Sequence, residues 1–314
     1  MASHPQNPVR TGPVGGHPRR PAAPAHVRRQ SRFGLSIVLP ALILFVALLL
    51  VPFLRSLGFA FFESTLFSPE PKFVGLENFR DLFSDRVFLE TWLRTLFYVG
   101  ITTGVTVALG FAWALVLNQA FTGRKVIRTA TILPWILPST VTAFLWAWIF
   151  NGQFGLLNAV LDAAGAIGAP VVWLSTPTGA MFAVILAKVW LSTPVAMSFL
   201  LAGLQSVSSE EIDAAMMDGC RAGNIIRHVI LPHIFPTLVI VFVLQAMANF
   251  QQIDTILAMT RGGPARTTTV LSIEVYQKAF NEWDMGHASA IGVVWFLTLA
   301  VPTVVYLRAI FKRF

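Results

Sequence analysis

Charged residues are sparse along this chain, and the apolar runs between them are long. Uncharged stretches extend from Phe33 to Leu54, Thr95 to Gly123, Thr129 to Leu161, Ala163 to Ala187, His228 to Ile253 and Met285 to Leu307. Each exceeds the roughly 18 residues that mark a membrane-spanning helix. A further run, Val189 to Ser209, is separated from its predecessor by Lys188 alone. The pattern predicts an all-α, polytopic membrane protein with six transmembrane helices near 35–59, 93–118, 128–150, 180–203, 236–258 and 288–311. Residues 151–179 are also apolar, but Gly152, Gly155, Gly165, Gly168, Pro170 and Pro177 punctuate them. That density predicts an outside loop with short interfacial helices and no seventh span.

Composition agrees with this pattern. The chain is 55% hydrophobic and 12% charged, against about 25% charged residues in a soluble domain. Residues 1–32 are rich in Pro, Gly and Arg and lack a hydrophobic pattern, which predicts a disordered basic tail ahead of a membrane domain over 33–314. The first span is expected to be retained, since no small-residue cleavage site follows it.

Six spans put both termini on one side. That side receives the basic tail, Arg124, Lys125, Arg128, Arg221, Arg227, Arg308, Lys312 and Arg313, which together make 14 of the 23 Lys and Arg residues. Lys and Arg accumulate on the cytoplasmic side, so both termini are predicted cytoplasmic. The same bias toward an anionic inner leaflet accounts for the net charge of +8, and nucleic-acid binding is not needed to explain it. Cys220 is the single cysteine, so no intrachain disulfide can form, and in a cytoplasmic loop its thiol is expected reduced.

Residues 204–235 interrupt the apolar pattern with a polar, small-residue loop. Ser208 and Glu211 have capping-box spacing, which predicts a helix start at Ser208. Glu210, Glu211 and Asp213 put negative charge in its first turns, where the helix dipole favours it. Ala214 and Ala215 add helix propensity with almost no bulk, permitting close approach of a partner surface. Asp218 and Gly219 offer a turn, a second short helix is predicted from Arg221 to Arg227, and Pro232 is expected to stop it before the next span. The plain alternative is an ordinary cytoplasmic loop with a good helix cap.

The series Asp213-Ala214-Ala215, Gly219 and Val229-Ile230-Leu231-Pro232 resembles the EAA loop of bacterial ABC importer permeases. Asp213 stands where that family has Glu, and Val229 where it has Ile. Further segments, in order, are similar to the carbohydrate-type members: Val74 to Phe79, Trp148 to Asn158, Trp190 with Thr193-Pro194 and Ala202 to Gln205, Thr260 to Pro264, and Ala279 to Ala290. The resemblance covers roughly residues 35 to 311. It implies a type I importer permease, a transport subunit and not an enzyme, in a bacterial inner membrane. Glu211, Asp213, Ala214, Ala215, Asp218, Gly219, Arg221, Leu231 and Pro232 become candidate contacts for an ATPase. Implied partners are a second homologous permease, two cytoplasmic ATPase subunits, an extracytoplasmic solute-binding protein and the lipid bilayer. ATP and Mg would be bound by the ATPases, with no cofactor in this chain. In keeping with that, the sequence contains no Gly-x-x-x-x-Gly-Lys-Ser/Thr phosphate loop.

Polar and aromatic residues inside spans are candidates for the solute path, because unpaired polarity is expensive in hydrocarbon. Gln245, Asn249 and Gln252 would share one face of the fifth span, and Gln251 and Asp254 lie beside them. Amide side chains suit sugar hydroxyls; the alternative is hydrogen bonding between helices. Trp146, Trp148 and Trp190 can stack on sugar rings or anchor span ends at the interface. Lys188 can face the path, which would favour a phosphorylated solute such as a glycerol phosphate. Otherwise it snorkels outward or pairs with an acid. His228 and His233 are five apart and have no Cys or carboxylate pair nearby, so no metal site is expected. The expected solute is a neutral sugar or short oligosaccharide. An ion-coupled secondary transporter and a membrane-embedded enzyme are the rival classes, disfavoured by the lack of a central intramembrane carboxylate and of a convergent catalytic set.

Overall fold

A computed structural model describes residues 38–65, 67 and 70–311. The basic tail over 1–32 lies outside the described residues. The chain divides into two compact units, Met1–Leu54 and Arg55–Phe314.

The first span is α1, Val38–Phe59. It widens into a π-helical segment at Val46–Leu50, two residues ahead of Pro52. A proline lacks the N–H that closes the turn below it and crowds that turn's carbonyl, so a wider turn lets the helix pass through.

Beyond α1 a two-residue hairpin forms from β1 (Phe62–Glu63) and β2 (Lys72–Phe73), with Phe62 opposite Phe73. Next comes α2, Glu77–Ser84. Asn78, buried on α2, donates from Nδ2 to the carbonyls of Ala60 and Phe62 at 2.9 and 3.0 Å and so ties hairpin to helix. The second span is α3, Arg86–Asn118, started by Asp85, whose side chain accepts from the Val87 N–H.

The third span departs from the single helix expected over 128–150. It consists of α4 (Arg124–Ile136) and α5 (Ser139–Ile149), bent 99° apart. Pro138 disfavours the helical region for the residue before it, and Leu137 is extended at φ −72°, ψ 138°. The following loop holds α6 (Leu156–Ala163) and one 3₁₀ turn at Trp173–Ser175, as its Gly/Pro density predicts. Asn158 organises that loop: Nδ2 donates to Gly152 and Val171 carbonyls, and Oδ1 accepts from Trp173 Nε1 at 2.8 Å.

The fourth span, α7 (Pro177–Leu204), is the innermost helix. Two thirds of its apolar window is buried, 67% against 28% or less for the other spans. Small residues let it sit there. Gly110 of α3 meets α7 so closely that an added Cβ would lie 2.8 Å from Ala196 Cβ. Val107, Ala114 and Leu117 of α3, Met197 and Leu200 of α7, and Ile234 and Val241 of the next span close one core. A second core joins Tyr98, Phe150, Val184, Ile256 and Ile273.

A short helix, α8 (Ser209–Met217), precedes α9 (Ala222–Phe250). Here two expectations fail. Pro232 does not stop a short helix; the helix continues through it as the fifth span. The device repeats that of α1: a π-helical segment, Ile226–Ile230, sits two residues ahead of the proline, and the Leu231 N–H reaches back to the Ile226 carbonyl. At the other end the span does not run to 258. It stops at Phe250, and α10 (Asp254–Met259) begins after a three-residue break.

The last elements are α11 (Leu271–Tyr276), a π turn at Gln277–Asn281, and the sixth span α12 (Met285–Phe311). Between α10 and α11 a threonine-rich loop satisfies its own carbonyls. Thr267, Thr268 and Thr269 donate to Pro264, Gly263 and Gly262. Arg266 of this loop pairs with buried Glu274.

Candidate functional site

The polar loop folds into a compact knob. Ser208 Oγ accepts from the Glu210 N–H at 3.2 Å, satisfying one of the free donors at the start of α8. The cap is therefore present, but on Glu210; exposed Glu211 makes no return bond, so the reciprocal box is not formed. At the other end the Cys220 N–H reaches the Ala215 carbonyl and the Gly219 N–H the Met216 carbonyl, both at 3.0 Å. This paired closure requires a left-handed residue, and Gly219 supplies it at φ +76°. Arg221 is extended, and α9 begins immediately after it.

Glu211, Asp213, Ala214, Asp218, Gly219, Arg221 and Pro232 are exposed, while Ala215 and Leu231 are half-buried. Met217 adds an apolar tip that is 88% exposed, a signal the sequence reading passed over. With Glu210, Glu211, Asp213 and Asp218 on one short element, the knob presents an acidic, small-residue surface.

Within the span region a cavity of about 340 Å³ opens between the α4–α5 break, α7 and α9. Lys188 and Gln245 line it, as do Trp135, Ser139 and Ser192. The last three were not candidates from sequence; Pro138, which creates the break beside Trp135 and Ser139, was the available signal. Lys188 is buried and does not snorkel. Its Nζ donates to Gln252 Oε1 at 2.7 Å, and among the described residues it makes no ion pair.

The remaining path candidates sit elsewhere. Gln252 lies beyond the end of α9, so it does not continue a face with Gln245 and Asn249. Its Nε2 donates to Thr255 Oγ1 at 2.8 Å, and its side chain orients Lys188. Asn249 turns toward α3 and donates to Thr103 Oγ1 at 3.0 Å, the bond between helices that was the alternative reading. Gln251 is exposed in the break, and Asp254 is exposed at the start of α10. Asp254 accepts from Ser139 Oγ at 2.6 Å. Trp190 is half-buried and packs edge-on against Trp146 at 5.9 Å, away from the cavity wall. Trp146 in turn stacks on Phe150, whereas Trp148 is half exposed, as an interfacial anchor would be.

Comparison with known proteins places this architecture. Residues 100–314 match the family model described as "Binding-protein-dependent transport system inner membrane component". The trehalose/maltose transport system permease protein MalF of Thermococcus litoralis is 31% identical over 280 residues, covering 89% of this chain and 94% of the relative. The sulfoquinovosyl glycerol transport system permease protein SmoG of Agrobacterium fabrum is 32% identical, covering 87% of this chain and 89% of its own length. Among solved structures, a chain of a bacterial ABC transporter involved in the import of the acidic polysaccharide alginate shares the fold. It has a TM-score of 0.78 at 21% identity, over 92% of this chain and 98% of that one.

Proposed function

This chain belongs to the family of binding-protein-dependent transport inner membrane components, and from that premise we propose how it works as the permease of a carbohydrate ABC importer. It forms, with a second homologous permease, the membrane path for a sugar or short oligosaccharide. The observation that carries the reading is that knob and cavity share one helix. α9 starts directly behind the knob at Ala222 and reaches the cavity wall at Gln245 without a break. Twenty-three residues at 1.5 Å each give a lever about 35 Å long. The relatives named for trehalose/maltose and for sulfoquinovosyl glycerol support a carbohydrate cargo.

In this mechanism two cytoplasmic ATPases hold the knobs of the permease pair, and ATP and Mg are theirs. Closure of the ATPases on ATP pushes α8. Its capped start and left-handed end keep it rigid, so the push passes into α9 and is not absorbed. Movement of α9 against α7 and the α4–α5 break opens the cavity alternately to the two sides. A binding protein delivers the solute at the face opposite the knob. Both termini lie on the cytoplasmic side with the knob, a placement that the distribution of Lys and Arg supports.

The test is reconstitution of the purified complex in proteoliposomes with its binding protein. ATP inside is expected to drive sugar accumulation, and sugar-loaded binding protein to stimulate ATP hydrolysis. Accumulation by this chain alone, driven by an ion gradient without ATP, would move it to the secondary transporters.

A further inference from the structure

Lys188 is the only charged residue of α7, and its position is informative. It is the twelfth residue of the helix, roughly 17 Å from the start at 1.5 Å per residue. A lysine stem is far too short to carry its ammonium over that distance. Only 7% of the residue is exposed, and an ammonium removed from water without a counter-charge is costly. Its one protein partner among the described residues is the neutral Gln252 Oε1. The bond from Gln252 Nε2 to Thr255 fixes that amide with its oxygen toward the lysine. Two of the three ammonium donors are left for whatever occupies the cavity.

The cavity wall contains no carboxylate to take them; its other side chains with polar atoms are Trp135, Ser139, Ser192 and Gln245. Asp254 is near enough for its charge to act on Lys188. Yet it is exposed, holds the Ser139 hydroxyl and forms no ion pair with the lysine. Gln245 is weakly held, its Nε2 lying 3.4 Å from the Ser192 carbonyl, and is available for a sugar hydroxyl. The volume of about 340 Å³ suits one sugar-sized unit.

We propose that Lys188 recognises an anionic group (carboxylate, sulfonate or phosphate) on the carbohydrate that crosses this cavity. The proposal rests on the carbohydrate-path reading above and adds the charge class of the cargo, replacing the neutral sugar expected from sequence. The ammonium holds the oxyanion in the cavity, and Ser192 and Gln245 face the hydroxyls of the same unit.

The test uses the complete importer with its binding protein in proteoliposomes. The probes are a uronate disaccharide, a sugar sulfonate, a sugar phosphate and a neutral disaccharide. The wild type is expected to accumulate at least one anionic probe, and which one identifies the group. Lys188→Gln should lower that rate at least tenfold, and Lys188→Arg should retain most of it. Co-elution of the subunits checks assembly of both variants. Wild-type rates in Lys188→Gln overturn the proposal, as does accumulation of the neutral disaccharide alone, and in both cases the carbohydrate path stands. A loss shared in full by Lys188→Arg also overturns it, because charge is then not what matters. If the wild type accumulates no carbohydrate, both readings fall.

Discussion

Ser139 and Asp254 meet across 115 residues of sequence, the serine hydroxyl donating to the carboxylate at 2.6 Å. Ser139 opens α5 just beyond the 99° bend, and Asp254 opens α10 just beyond the end of α9. One hydrogen bond therefore joins the two places where the span region is broken, next to the cavity. An exposed bond of this kind contributes about 1 kcal/mol, enough to bias a mobile break without deciding whether the protein folds. Ser139→Ala and Asp254→Asn are expected to leave the melting temperature within a few degrees of wild type. Both should speed maleimide labelling of a cysteine placed at Leu137 in a Cys220→Ser background. Unchanged labelling in both variants would show that the bond does not restrain the break.

Gly219 closes the knob in a conformation that proline cannot adopt, and its N–H is used. Gly219→Pro loses both features, and Gly219→Ala loses only the conformational ease, at about 1–2 kcal/mol. The knob lies at the periphery of the bundle, so both variants are expected to insert and fold. Sugar-stimulated ATP hydrolysis should fall at least tenfold in Gly219→Pro and by less in Gly219→Ala. A bulky side chain at Ala215, such as Ala215→Trp, should act like the proline. Normal stimulation in these complexes would end the assignment of the loop to ATPase coupling.

Much of this fold is legible as runs of uncharged residues, because hydrocarbon thickness fixes the length of a span and charge is excluded from it. The knob was legible too: Ser208, Ala214, Ala215 and Gly219 act through backbone geometry that their residue types dictate locally. The breaks were not. Pro134, Pro138, Pro232 and Pro236 look alike in sequence, yet the chain bends sharply only before Pro138 and passes Pro232 with a π turn. Which outcome follows depends on what packs around the freed carbonyls. The direction of polar side chains inside spans was equally hidden. Asn249 and Gln245 share a helical face, but Thr103 of α3 captures one and leaves the other on the cavity. Lys188 had two good sequence readings, and its burial in mid-helix on the cavity wall, with Gln252 as its partner, separates them.

The π turn ahead of Pro232 sets the rotation of the knob about the α9 axis. A π turn holds one extra residue, so rewinding it to regular α-helix would rotate everything on its far side by about 100°. Pro232→Ala restores the missing N–H and removes the ring that the wide turn accommodates. The variant is expected to assemble at normal levels but to hydrolyse ATP with weakened dependence on sugar. Spin labels at Met217 and Leu244 should report a changed distance distribution. An unchanged distribution would mean that packing, not the proline, maintains the π turn.

Gly110 tests whether close approach of α3 and α7 holds the bundle together. A Cβ added there would lie 2.8 Å from Ala196 Cβ and 3.0 Å from the Met197 backbone nitrogen. The second of these neighbours is main chain in the most buried helix, so it has little room to yield. Gly104, six residues earlier on α3, has nothing within 4 Å of the same added atom. Both substitutions add the same methyl group and the same gain in helix propensity, so packing alone separates them. Gly110→Ala should destabilise by about 1–3 kcal/mol, read as a lower melting temperature in detergent, and Gly110→Leu by more. Gly104→Ala should be neutral or slightly stabilising. Equal melting temperatures for the two alanine variants would mean that α7 can shift away from α3 at little cost, and the lever action assigned to α9 would then lack the fixed helix it moves against.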